Sequence, residues 1–294
     1  MIINNSTDAI TLCEKENLSL FELALAYEKN NSALSEEKIY THMANNFSAM
    51  KQSIRVGLED NSNHKIKPKM FSGYGHKMLS YYDKGNAVSG SVMAKAVTYA
   101  LSVMEVNCSM GKIVACPTAG SCGVVPAALM SVIESQNIEE KKAIEGLFVC
   151  GLIGSIIAKH ASLSGAMHGC QAEIGSAAAM AAGAIIYMKG GSPKMAFEAG
   201  AIALKNLMGL VCDPVAGLVE SPCVKRNAIG VSNALICVDM VMAGIESIIP
   251  FDDVVYAMAK VGKSMPARLR ETAEGGVADT PTGRKLARKL NNKS

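Results

Sequence analysis

Apolar positions along the chain recur with a helical period, and strand-like alternation is scarce. Over residues 9–61 the pattern is charged and helical. Leu18, Phe21, Leu23, Ala24 and Tyr27 are spaced for one face, and Ser32 or Ser35 is placed to cap a helix N-terminus. This predicts an N-terminal helical arm or subdomain over residues 1–65. The polar stretch 61–69, with Pro68, and the following Ser72-Gly73-Tyr74-Gly75-His76 predict a loop, so the main domain is expected to span 66–294. After Gly90 an Ala/Val/Met pattern predicts a helix through Val106, followed by a Gly/Pro-rich loop over 116–123. Further helices are expected over 125–134, 139–159, 170–188, 193–210, 226–248 and 252–261, the last opening on Asp252 and Asp253. The expected fold class is all-α: one large helical domain whose function sits in Gly-rich loops between helices.

Composition sharpens this picture. Hydrophobic residues make up 49% of the chain but aromatics only 5%, with no Trp, 26 Gly and 18 Met, so packing must rely on small and flexible side chains between closely approaching helices. The apolar runs at 146–158 and 174–188 fall short of the roughly 18 residues of a bilayer span and read as buried helices. A net charge of +3, without a basic stripe interleaved with aromatics, gives no case for nucleic acid. Arg284, Lys285, Arg288, Lys289 and Lys293 read as a solvated helix face. The N-terminus, MIINNSTDAITLCEKEN, has neither a basic segment nor a continuous apolar one, which argues against secretion and predicts a cytoplasmic protein with no membrane association.

Nine cysteines, an odd number in a cytoplasmic chain, do not suggest a disulfide framework. Cys170, Cys212 and Cys223 stand apart, because each lies at or beside a Gly or Pro that starts or ends a helix. Thiolates in such places are accessible and easily ionised, unlike those of the mid-helix Cys150 and Cys237. By loop context the three are either metal ligands or inert thiols. Their spacing lacks the paired C-x-x-C of a zinc ribbon. Three thiolates without a fourth partner suit a 4Fe–4S cluster with one open iron.

The loop of Thr118, Ala119, Gly120, Ser121, Cys122 and Gly123 precedes a helix and can present several backbone N–H groups. It reads either as a cradle for a substrate carboxylate or as a tight helix–helix turn. Arg226 and Asn227, directly after the Cys223 loop, are expected to orient that carboxylate or to hydrogen-bond sulfur, the alternative being ordinary helix N-terminal chemistry. His168 reads as a base, a support for Cys170 or a structural histidine.

The strings ACPTAGSCGVVPAAL, GCQAEIGSAAAMAAGA and CDPVAGLVESPCVKRNAIG, with the later EGGVADTPTG, closely resemble the α subunit of the bacterial iron–sulfur L-serine dehydratases. The resemblance covers residues 72–290. It implies an all-helical catalytic domain with Cys170, Cys212 and Cys223 holding a 4Fe–4S cluster, and a lyase that converts L-serine to pyruvate and ammonia. It also implies that Cys116 and Cys122, where relatives often carry Ala or Ser, are not ligands, and that His168 is structural. Relatives have a second domain, fused or separate. This chain is too short for the fused form, so a β subunit is the expected partner, and the general base, which no motif identifies, can belong to it. The C-terminal stretch 289–294 lacks the cysteine that some single-chain members carry. Two other readings stay open: a pyridoxal-phosphate dehydratase, which has no Lys motif or α/β pattern in its favour here, and a non-enzymatic cysteine-based metal or redox sensor.

Overall fold

The computed structural model describes residues 2–59 and 66–292. Its helices are α1 (Ser6–Glu16), α2 (Leu20–Asn31), α3 (Glu36–Leu58), α4 (Tyr74–Tyr82), α5 (Ser91–Cys108), α6 (Val124–Gln136), α7 (Glu140–His160), the single turn α8 (Gly165–His168), α9 (Ser176–Met188), α10 (Pro193–Asn206), α11 (Cys223–Met242), α12 (Phe251–Ser264) and α13 (Pro281–Asn291). Among the described residues no strand forms, only one isolated parallel bridge between Cys212 and Arg270. The chain is all-α, as its periodicity predicts.

Local chemistry sets the ends of the helices. Asn5 caps α1, Ser19 and Glu22 form a reciprocal capping box on α2, and Ser35 caps α3, while Ser32 closes α2. The expected loop over 72–76 is a helix start instead. Gly73 takes a left-handed φ of 66°, the fully buried Glu105 accepts the amides of Gly73 and Gly75, and α4 begins at Tyr74. A Cβ on Gly75 would sit 2.6 Å from the Gly57 carbonyl, so glycine is what lets α4 crowd against α3 and α5. The loop expected over 61–69 lies, up to residue 65, outside the described residues. The helix expected over 226–248 stops at Met242 because the chain turns through Gly244 at φ 87°.

Helix α9 is the central rod of the molecule. Its sequence, SAAAMAAGAIIYM, is buried everywhere except Tyr187, with α7, α10, α11 and α6 around it. Only small residues permit such close packing. A Cβ on Gly183 would stand 2.2 Å from Ile153 Cδ1 of α7 and 3.2 Å from the Ala196 carbonyl of α10. The residues predicted as the start of this helix form a π-helical turn, Gln171–Gly175, that leads into it. Helix α7, which contains the run at 146–158, extends to 21 residues and is long and apolar enough to cross a membrane, but 67% of its most apolar window is buried in this fold.

The first three helices share their apolar core with the rest of the molecule: Ile3, Leu20, Leu23 and Phe47 join Leu147, Phe148, Ile157 and Ala184. Asp252 at the N-terminus of α12 accepts both the amide and the hydroxyl of Ser6 at 2.8 Å. Phe251 packs edge-on to Phe197 with ring centroids 5.3 Å apart, tying α12 to α10. These helices share one core, and the cysteine-bearing loops lie at the ends of α9 and α11.

Candidate metal centre and active site

Four stretches distant in sequence meet at the ends of α9 and α11: the 116–123 loop, α8 with the π turn, the 211–223 loop, and the turn-rich segment after α12. Cys170 follows Gly169, whose φ of 76° and close approach to the Leu210 carbonyl, 2.8 Å from an ideal Cβ, exclude a side chain. Gln171 then joins this segment to the next: its amide reaches the Leu210 carbonyl at 3.0 Å, and its side-chain carbonyl accepts the Gly209 amide at 2.9 Å. Cys212 is fixed by its bridge to the segment 269–271. Cys223 is the first residue of α11, at the positive end of that helix.

The three cysteines that loop context singles out converge: the thiols of Cys212 and Cys223 each lie within hydrogen-bonding reach of the Cys170 thiol. All three are buried, and none forms a disulfide. Hydrogen bonds from Cys212 and Cys223, helped by the Arg226 guanidinium, hold the Cys170 thiol well below its ordinary range. Cys212 and Cys223 are pushed up, chiefly by sharing a proton with Cys170 and then by burial. Ionisation of one thiol thus opposes that of its neighbours, and added positive charge favours ionisation of all three.

Arg226 is the positive group built into the site. It reaches Cys170 Sγ at 3.6 Å and the Val211 carbonyl at 2.7 Å, and pairs with Asp213 at 2.8 Å. The Asp213 carboxylate also accepts the Val277 amide at 2.7 Å, which docks the EGGVAD segment onto the site. Asn227, fully buried, donates to the carbonyls of Gly120 and Cys223 and accepts the Gly123 amide. The sequence offers Arg226 and Asn227 a substrate carboxylate, sulfur or ordinary helix N-terminal chemistry; Arg226 meets sulfur at Cys170, and the hydrogen bonds of both residues hold the cysteine loops and the Gly-rich loop together.

The Gly-rich loop is a short 3-10 turn at Ala119–Ser121. Thr118, Ser121, Cys122 and Gly123 use their amides within the protein, which leaves Ala119 and Gly120 as its N–H groups without an acceptor among the described residues. The Thr118 hydroxyl donates to Glu173 at 2.7 Å. Glu173 projects from the π turn, a helix irregularity common at functional sites. Burial, together with the nearby Cys170 and Glu271, raises its carboxyl to about 7. Gly165 leaves room for it, since a Cβ there would lie 2.6 Å from Glu173 Oε2 and 3.1 Å from Cys212 Sγ.

The remaining cysteines lie elsewhere. Cys122 is fully buried against Met104, burial pushes Cys116 up to about 12, and Cys150 and Cys237 lie inside α7 and α11. His168 is buried against Gly262, and its Nδ1 accepts the Ser162 amide at 3.2 Å. Burial, with Lys263 and Arg270 nearby, lowers its pKa. These are structural features for this histidine. Sequence reasoning missed Glu173, Asp213 and Arg270. Glu173 alone carried a signal, as an acid in an otherwise apolar run.

Cys170, Glu173 and Cys212 each place one donor atom within 4.8 Å of the others, close enough to share a metal ion. Fold and site together define an all-helical protein with a buried, thiol-rich site whose donor atoms lie close enough together to hold a metal ion. The chain belongs to the serine dehydratase alpha chain family, whose profile matches residues 15–278. It is 45% identical over 289 residues to a probable L-serine dehydratase alpha chain of Bacillus subtilis (strain 168), covering 98% of this chain and 95% of that one. It is 42% identical over 287 residues to the L-serine dehydratase alpha chain of Peptoniphilus asaccharolyticus, covering 98% of each. Similarity to L-serine dehydratase 2 of Escherichia coli (strain K12) is 34% over 280 residues, 94% of this chain and 61% of that protein.

Proposed function

We propose that the chain is the catalytic subunit of an L-serine ammonia-lyase, which converts L-serine to pyruvate and ammonia, and that Cys170, Cys212 and Cys223 hold a 4Fe–4S cluster. The observation that carries this reading is the convergence of three thiols from three separate loops in a chain of the serine dehydratase family. The donor set fits the group: soft thiolates, a guanidinium on Cys170 to offset their charge, and glycine at 165 leaving space beside Cys212.

Elimination from serine requires loss of the Cα proton and a better leaving group in place of the β-hydroxyl. A cluster bound here supplies an open iron as Lewis acid for that hydroxyl. The rest falls to the chain. Arg226 and Asp213 set the orientation of the cysteine loops. The loop from Thr118 to Gly123 walls the substrate space, and Asn227 holds its shape. Glu173, pinned by Thr118, gives that wall an oxygen acceptor. The relatives named alpha chains point to a companion β subunit, and an oxidation-prone thiolate centre suits a reducing cytoplasm.

The test is anaerobic co-purification with the companion subunit, followed by iron and sulfide analysis and a pyruvate assay. Iron and acid-labile sulfide in equal amounts, with serine-dependent pyruvate, are expected. Pyruvate formation that survives iron removal but stops with hydroxylamine would transfer the reaction to a pyridoxal mechanism.

A further inference from the structure

We infer that Arg270 is the residue that binds the carboxylate of the substrate. This rests on the L-serine reading and adds to it a contact that no sequence motif assigned. The bridge at Cys212 provides the first argument. The Cys212 amide donates to the Leu269 carbonyl at 2.8 Å, and the Glu271 amide donates to the Cys212 carbonyl at 2.7 Å. That pattern pairs Cys212 with Arg270, and paired residues of a bridge project their side chains to the same face. The Cys212 thiol points to the thiol trio, so the Arg270 side chain rises beside the same pocket. Its guanidinium lies along α8, donating to the Met167 carbonyl, and Gly165 of α8 abuts Cys212 and Glu173.

The second argument is unmet hydrogen-bonding capacity. Arg226 has strong partners: a carbonyl at 2.7 Å and a carboxylate at 2.8 Å. Arg270 has one long hydrogen bond of 3.3 Å, and its buried Nε has no partner among the described residues. A buried cationic donor left unpaired is costly, and a guanidinium's fork matches a carboxylate in a bidentate pair. The third argument is the Gly-rich loop. It has most of its amides committed, and its Thr118 hydroxyl donates to Glu173 of the π turn, an oxygen acceptor suited to the ammonium end of an amino acid. The carboxylate of an amino acid at this site is therefore left to Arg270.

The test compares wild-type, R270Q and R270K holoenzymes, reconstituted anaerobically with the companion subunit. The probes are L-serine as substrate and ethanolamine, which lacks the carboxylate, as competitive inhibitor. Wild type that makes no pyruvate from serine overturns the L-serine reading and this inference with it, whereas the variants bear on this inference alone. For R270Q, the expected result is a serine KM raised on the order of 100-fold, with the ethanolamine inhibition constant, iron content and melting temperature unchanged. R270K, which keeps the charge but loses the fork, should raise KM about tenfold and guards against misfolding of R270Q. An unchanged serine KM in both variants, an equal weakening of serine and ethanolamine, or loss of iron in R270K would overturn the assignment.

Discussion

At the scale of single residues, nine cysteines divide by setting rather than by spacing. Cys170, Cys212 and Cys223 meet at loop ends, whereas Cys122, Cys150 and Cys237 are embedded in helix packing and Cys116 is buried in apolar surroundings. Replacing any one of the trio with Ser is therefore expected to abolish iron binding and activity, because each removes one of three protein thiolates. Cys116→Ala, Cys122→Ser, Cys150→Ala and Cys237→Ala should retain iron; metal analysis of the seven proteins decides, and iron loss in a control with retention in a trio variant would refute the ligand set. Gly165→Ala is a finer probe. Its new Cβ would press on Glu173 and Cys212, so kcat/KM should fall about 100-fold with little change in melting temperature. The trio was legible in the sequence because Gly169, Pro214 and Pro222 mark chain breaks beside the cysteines. Arg270 and Asp213 were not, since their roles come from a bridge and an amide contact that join segments far apart in the chain.

At the scale of elements, periodicity located most of the helices, and the errors cluster where glycine acts through close packing. Gly73 and Gly75 read as flexible residues in sequence, but here one caps α4 and the other admits it against Ser102. Gly183 plays the same part between α9 and its two neighbours. Gly183→Ala should cost about 1–3 kcal/mol, measured as a lower urea midpoint, because Ile153 and the Ala196 carbonyl must shift. A polar network ties α7 to α9. Tyr187 donates to Glu145 at 2.7 Å, and Lys142 donates to the same carboxylate at 2.8 Å. Burial opposes ionisation of Glu145, but these bonds outweigh it and lower its pKa. A depressed folded-state pKa gives stability that is present above the unfolded value and lost as pH falls through the folded one. Glu145→Gln should therefore be less stable than wild type at pH 7, and the gap should close as the pH drops below about 4. A gap independent of pH would assign the loss to packing instead.

At the scale of the whole molecule, the helical body and the reactive loops carry separate loads. The core from Ile3 to Ala259 includes Cys170 and Cys212, but most of it is aliphatic packing between helices, while the four loop segments meet at the ends of α9 and α11. Damage to the centre should accordingly leave the fold standing. If the trio holds the proposed 4Fe–4S cluster, three cysteines serve four irons and one iron has no protein thiolate; access for serine to that position is then also access for oxygen. Air is expected to abolish activity while far-UV circular dichroism keeps its helical signal, and anaerobic ferrous iron with a thiol should restore activity without refolding. Serine present during aeration should slow the loss by occupying the same position, whereas ethanolamine, lacking the group that Arg270 takes, should protect only at much higher concentration. A parallel decay of helicity and activity would mean that the centre supports the fold. Protection by ethanolamine equal to that by serine would mean that oxygen and the substrate carboxylate do not meet at this site.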